Sequence, residues 1–170
     1  MNKHTTISVI AIIAIIIPFV YSAMNIYSAE QIKFRWSPPE KFSYFELSNN
    51  GSLEFCNSSP LPVNFKSVQI TPFYDGKSQG TLHIENINID GEHSKIQKGR
   101  FVTDQFLETQ HLFMEMDYQF DGGEVKVDPR KMQVVVAIDT PIIGIIPYTS
   151  IHQFGGLDFD KMMNEKNFDC

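Results

Sequence analysis

The side chains that could do chemistry are few and spread along the chain. Cys56 and Cys170 are the two cysteines; outside the cytoplasm an even pair is normally a disulfide, and the alternative is two free thiols. Bridging them would close almost the whole domain into one loop, which the chain-entropy picture values at roughly 4–5 kcal/mol as an upper figure. It would also hold down a tail that otherwise frays. Asn50 with Ser52, and Asn57 with Ser59, each complete the N-x-Ser pattern of a glycan acceptor, so both asparagines are candidate glycosylation sites.

None of the other groups has a catalytic or metal-binding spacing. His83, His93, His111 and His152 include no i, i+2 or i, i+4 pair, so a zinc or copper site would have to be assembled by the fold from distant segments. Met114 and Met116 lie near His111, but strand alternation would set them on the opposite face, and core packing explains them better. Gly76-Lys77-Ser78 has the ending of a phosphate loop, yet Thr71 stands where its first glycine is required. Gly99, Gly144 and the Gly155-Gly156 pair have no serine placed for a nucleophile elbow. Asp158, Asp160, Glu165 and Asp169 could gather around calcium, but Met163 occupies the position where an EF-hand loop needs glycine. Asp117, Asp121 and Glu124 beside Gly122-Gly123 read as turn and surface charge rather than an acid–base pair. The expectation is no catalytic residue, no metal ligand set and no cofactor. The alternative is a metal-binding protein or an enzyme whose site is assembled from the dispersed histidines and carboxylates.

Lys3 is the only basic residue before Lys33, so from Glu30 onward 13 basic residues face 20 acidic ones. That balance argues against nucleic acid or an anionic membrane surface as a partner. Ahead of it, Ile7 to Val20 reads ISVIAIIAIIIPFV, an uncharged run without the polar stripe of a core helix. Its length lies between a signal-peptide core and a spanning helix. Ser22 and Ala23 after Val20 supply a cleavage position, with Tyr27 to Ala29 a poorer second one; counting on through Met24, Ile26 and Tyr27 favours an uncleaved anchor with Lys3 inside. Residues 1–29 are thus a signal peptide or a single transmembrane anchor. Both readings place the domain outside the cytoplasm.

The elements that would position the chemical groups are mostly strands. From Phe42 onward, period-two segments separated by turn residues predict strands at Phe42 to Leu47, Ser52 to Asn57, Asn64 to Tyr74, Thr81 to Ile89 and Ser94 to Phe101. Further strands are predicted at His111 to Phe120, Glu124 to Asp128, Met132 to Ile138 and the start of Thr140 to Phe154. Met132 to Ile138 is β-branched and nearly continuous, as in a strand covered on both faces. Slips of phase between Phe65 and Val68 and again near Pro72 predict bulges or an edge position for that strand, the phase of Thr81 to Ile89 slips once at Glu85-Asn86, and Asp75-Gly76 and Asp90-Gly91 predict turns. Helix-start chemistry from Thr103 to Glu108 predicts one short helix, and Phe159 to Met163 a second. Residues 30–41 read as a linker whose Trp36 sits at a membrane interface or over the end of the domain. The fold class is mainly β: an antiparallel immunoglobulin/fibronectin-type-III-like sandwich over 42–170, with one or two short helices and an N-terminal apolar helix.

Leu53 to Asn57 (LEFCN), Pro60 to Phe65 (PLPVNF) and Tyr74 to Gly80 (YDGKSQG), with Val134 to Ile138, Thr140 to Gly144 and Ile146 to Tyr148 near the end, resemble the water-stress (WHy) domain of late-embryogenesis-abundant proteins. The resemblance runs from Ser52 to about Phe154; it departs from the family where Ser58, not proline, follows Asn57, so that Pro60 arrives late. The whole chain is also similar to small exported archaeal proteins. The resemblance implies a fibronectin-type-III-like sandwich of a family that binds or protects under desiccation stress rather than catalyses. The expected job is therefore that of an extracytoplasmic, non-catalytic binding or structural module whose partner is a protein or a cell-envelope component; an accessory subunit of a membrane complex is the further alternative. Ile142, Ile143, Ile145 and Ile146 are the candidate contact surface if exposed, with a buried edge strand as the plainer reading.

Overall fold

The computed structural model describes residues 3–37, 40–142, 146–165, 168 and 170. In chain order its elements are α1 (Lys3–Glu30), β1 (Lys33–Trp36), α2 (Tyr44–Ser48), β2 (Ser52–Asn57), β3 (Val63–Tyr74), β4 (Lys77–Ser78), β5 (Thr81–Ile89), β6 (His93–Lys98), β7 (Arg100–Val102), α3 (Phe106–Phe120), a 3-10 turn (Pro129–Lys131), β8 (Met132–Asp139), β9 (Thr149–Gly155) and α4 (Gly156–Met163). The strands make two antiparallel sheets, β1-β2-β6 and β7-β5-β3-β8-β9, with β4 paired to β3. Leu53 and Phe55 of the small sheet share one buried cluster with Leu82, Ile84 and Val136 of the large one.

The strand alternation is visible in burial: Leu53 and Phe55 point inward from β2, and Met132, Val134, Val136 and Ile138 from β8. On β8 the opposite face is half-covered near the middle, as befits a strand between β3 and β9. Inward residues on β3 change parity between Phe65 and Val68, and those on β5 change between Ile84 and Ile87. The two slips face each other, because Phe65 pairs Ile87 and Val68 pairs Ile84 with the register unbroken between them, so the expected bulge is absent and β3 is a central rather than an edge strand; Asn86 supplies the kink with φ 55°. Asp75-Gly76 is a two-residue turn with φ positive at both positions, joining Tyr74 to Lys77 across the hairpin. Asp90-Gly91, by contrast, carries the chain from the large sheet to the small one. A Cβ on Gly91 would lie 2.2 Å from the Pro60 carbonyl oxygen, so only glycine fits there.

Five expectations are corrected. The segment from Phe42 to Leu47 is not a strand but leads into helix α2, because Ser43 and Glu46 have capping-box spacing and the Ser43 hydroxyl accepts a hydrogen bond from the Glu46 N–H at 3.1 Å. His111 to Phe120 is likewise helical: Thr109, Phe113 and Met116 are buried at i, i+4, i+7, which follows a helix rather than a strand. Glu124 to Asp128 forms no strand. Ser94 to Phe101 is two strands, β6 and β7, which Gly99 passes from one sheet to the other. The linker assignment also changes, since β1 lies within residues 30–41 and pairs with β2 from Lys33↔Cys56 to Trp36↔Leu53. Trp36 is buried, edge-on to Phe42 at 5.3 Å and directly over Gly51, which places it in the core and not at a membrane.

Candidate functional site

Helix α1 is 28 residues long, and its side chains from Ile7 to Tyr21 are overwhelmingly apolar and exposed. By length and composition it can cross a membrane; the exposed apolar stretch that ends at Tyr21 lies at the short end of the roughly 17–25 residues that a span uses. Pro18 inside it removes one helical hydrogen bond. The exposed rings of Tyr21 and Tyr27 lie near its C-terminal end, where interfacial aromatics belong.

The last turns of the same helix are docked on the domain. Ser22, Asn25 and Ala29 fall on one face, and they are buried along with Ser28. Asn25 binds the β3 backbone through both halves of its amide: its Nδ2 donates to the Asn64 carbonyl at 3.0 Å, and its Oδ1 accepts from the Asn64 N–H at 2.8 Å. The Ser28 and Ser59 hydroxyls are bonded at 3.0 Å. Ser59 belongs to the proline-rich connection between β2 and β3, which Asn57 stiffens from within. Asn57 is fully buried; its Nδ2 donates to the Leu61 and Asp90 carbonyls, and its Oδ1 accepts from Ser59 N–H. A membrane-length helix thus ends in a polar lock against a rigid loop and a central strand.

This geometry decides the two sequons differently. A glycan on the buried Asn57 Nδ2 would displace both of its donor bonds. Asn50 is exposed at φ 64° in the turn before β2, with its Oδ1 accepting from Phe101 N–H at 2.6 Å. Cys56 and Cys170 are disulfide-bonded with their Cα atoms 5.5 Å apart. Of the isoleucine surface, Ile142 and Ile146 pair across the β8–β9 connection by two backbone hydrogen bonds, with Ile146 exposed; Ile143 and Ile145 lie outside the described residues. This connection leaves β8 at Asp139, opposite Ser67, and so sits at the same end of the sheet as Asn64 and the base of α1.

Among the described residues no three of His, Cys, Asp and Glu converge on a metal position. His93 is bonded to the Gly91 carbonyl at 2.6 Å, and His111 lies 3.8 Å from Glu115 one turn along α3, where it shares an exposed face with Met114 while Met116 is buried. Gly76-Lys77-Ser78-Gln79-Gly80 also spells G-x-S-x-G, a match that inspection of the other glycines overlooks. Ser78, His83 and Asp104 line one concavity of about 370 Å³. Ser78 lies in a two-residue strand instead of a strand-to-helix elbow, and its Oγ accepts from the Gly80 N–H at 3.4 Å.

Asp117, expected as turn or surface charge, is instead a partly buried structural group on α3. Its Oδ1 and Oδ2 accept from the Tyr44 and Phe45 N–H groups at 2.8 and 2.9 Å, capping α2 from a distant helix. Burial pushes its carboxyl up to about 6, with nearby Asp160 adding to the effect and the two N–H bonds opposing it; Asp160 is raised as well, chiefly by burial. Tyr44 is raised by burial, and its hydroxyl donates to the Gly156 carbonyl at 2.8 Å. An aspartate raised in the folded state binds its proton more tightly there than when unfolded, so stability falls as pH climbs from about 4 to 6 and is level above that. Urea unfolding of the solubilised chain should show a fall of about 1–2 kcal/mol across this window, after allowing for residual solvent contact. Asp117→Asn should flatten it, and an unchanged slope in the variant would assign the titration elsewhere.

No family model matches the chain, and no curated protein matches it. Among solved structures it is similar to the YadV chaperone at 17% identity and a TM-score of 0.34, over 74% of this chain and 43% of that one. It is also similar to a protein from Archaeoglobus fulgidus at 11% identity and a TM-score of 0.30, over 73% and 94%. The chain spans less than half the length of the chaperone, and neither likeness is close enough to carry a fold or a function across.

Proposed function

We propose that the chain is an extracytoplasmic, non-catalytic binding or structural module, held at the membrane by an uncleaved α1 and presented to a protein or cell-envelope partner. One observation carries this: α1 has a membrane-length apolar segment whose C-terminal turns are locked to the domain through Asn25–Asn64 and Ser28–Ser59. A disposable leader has no use for such a lock, whereas an anchor that must hold its domain in a set orientation does. The disulfide supports an oxidising compartment. The water-stress resemblance supports protection of the envelope as the setting of the binding role.

Mass spectrometry of membrane-extracted protein should show α1 intact, and alkaline carbonate should fail to release it. A soluble chain starting after Ser22 or Ala23 would sink the proposal. Asn25→Ala combined with Ser28→Ala should leave the protein membrane-bound but broaden the distance distribution between spin labels on α1 and β5. A distribution as narrow as in the parent would show that the lock does not orient the domain.

A hydrolytic reading has the Ser78, His83 and Asp104 concavity in its favour. It predicts release of p-nitrophenol from a p-nitrophenyl ester that Ser78→Ala abolishes; equal rates for parent and variant rule it out.

A further inference from the structure

Beside the base of α1 the two sheets do not close on each other. Strand β1 is one edge of the small sheet and β9 one edge of the large one, and α4 packs against both. Between them lies a cavity of about 260 Å³, room for roughly nine groups the size of water or methylene at ~30 Å³ each. Its walls are apolar: Ile32, Phe34, Ile138, Phe154, Met162 and Phe168, all buried or half-buried. The exposed members of its lining, Glu30, Lys33, His152 and Glu165, form a rim of mixed charge, two carboxylates beside one ammonium and an imidazole. Ala29 and Glu30, the last residues of α1, belong to the lining. The exposed Tyr27 ring is only two to three residues earlier, about 3–5 Å along the helix axis.

We propose that this slot takes up one hydrocarbon chain of a membrane amphiphile. The inference rests on the reading of α1 as a retained anchor, because it is the anchor that brings the mouth of the slot to the bilayer surface. Three features select the occupant. The walls are aliphatic and aromatic with no polar group among the buried members, so they match a chain and not a sugar or peptide. The slot is elongated along β8 and β9, since Ile138 and Phe154 lie at opposite ends of that pair with the His152 level between them, Ile138 opposite Ser150 and Phe154 opposite Val134. The end marked by Ile138 is the end of the sheet at which α1 docks, so it is the end of the slot nearer the anchor. The mixed rim leaves the headgroup outside and unselected. The remaining wall comes from the C-terminal segment: Phe168 lies under the Arg35 guanidinium, 4.5 Å from its ring centre, and Cys170 is tied to Cys56.

The test uses full-length protein in phosphatidylcholine vesicles doped with a phosphatidylcholine that carries a diazirine in mid-chain. After irradiation and digestion, adducts are mapped by mass spectrometry. Adducts are expected on α1 and also on Phe34, Phe154 or Met162. His152→Trp fills the mouth from an exposed position and should cut the slot adducts roughly fivefold while leaving those on α1 unchanged. Ile151→Trp, exposed on the other face of β9, should change neither. Adducts confined to α1 overturn the slot and leave the anchor standing; adducts on neither overturn both. Slot adducts that persist in His152→Trp, or that fall equally in Ile151→Trp, overturn the slot as well.

Discussion

Cys170→Ser should lower the unfolding free energy of the oxidised protein by about 3–5 kcal/mol, among the largest losses open to a single substitution in this chain. The bond spans 114 residues, so its loss returns nearly the whole domain's loop entropy to the unfolded state. Cys56 is fully buried in β2, the central strand of the three-stranded sheet, while Cys170 is exposed. Among the described residues of the tail, Asn164 accepts from Phe42 N–H at 2.9 Å, and Phe168 rests on Arg35, whose guanidinium is itself held by Glu54 at 2.7 and 2.8 Å. Once the tether is cut, fraying of that segment also removes a wall of the slot. Urea unfolding of the solubilised protein, with and without reductant, checks both parts. Reductant should bring the parent down to the variant's midpoint and leave the variant unmoved. A variant within 1 kcal/mol of the parent would mean that the tail is held by packing alone.

The strands that could be read from the sequence are those in which one face is buried and the other wet, β2, β3, β5 and β8, because there the period of two is imposed by the core itself. The paired slip of β3 and β5 was legible for the same reason. Around His111 to Phe120 the pattern deceived: apolar residues occur at both helical and alternate spacings, and only the packing of Phe113 and Met116 against the domain chooses between them. Ser43 and Glu46 did carry a local helix signal, masked by the alternation of Phe42, Tyr44 and Leu47. The cysteine pairing needed no geometry, only parity and compartment.

The docking lock was half legible. Ser22, Asn25 and Ser28 interrupt an otherwise apolar helix, and their spacing places them near one face, but their partners Asn64 and Ser59 lie more than 30 residues away and cannot be assigned from the chain order. Asp117 shows the same limit more sharply. Its role depends on the N-terminus of α2, 72 and 73 residues earlier in the chain. Local pattern reveals which face of an element is buried; it does not reveal which distant backbone group that face will meet.

Phe42→Ala should cost about 3–5 kcal/mol, comparable to loss of the disulfide but with a different signature. Phe42 is 1% exposed, and its ring meets Trp36, Tyr44 and Phe159 edge-on at 5.3, 5.1 and 5.6 Å. Tyr44 continues the cluster to Phe113 and Phe120, and Phe159 continues it to Phe154. One side chain therefore joins β1, α2 and α4 directly, and α3 and β9 through single intermediates. Truncation removes burial and three edge-to-face contacts at once, and the surrounding rings are tethered to different elements, so they cannot collapse together into the cavity. Phe42→Leu keeps much of the volume and should cost less than half as much. Trp36, the only tryptophan, reports the difference directly: its emission should shift to the red in Phe42→Ala, where one of its walls is gone, but stay at the parent wavelength in Cys170→Ser, whose lesion is in the tail. Parent-like emission and stability in Phe42→Ala would contradict the view that this ring holds the helices to the small sheet, and would place that task on the hydrogen bonds of Asp117 with α2 and of Asn164, whose Oδ1 accepts from Phe42 N–H at 2.9 Å.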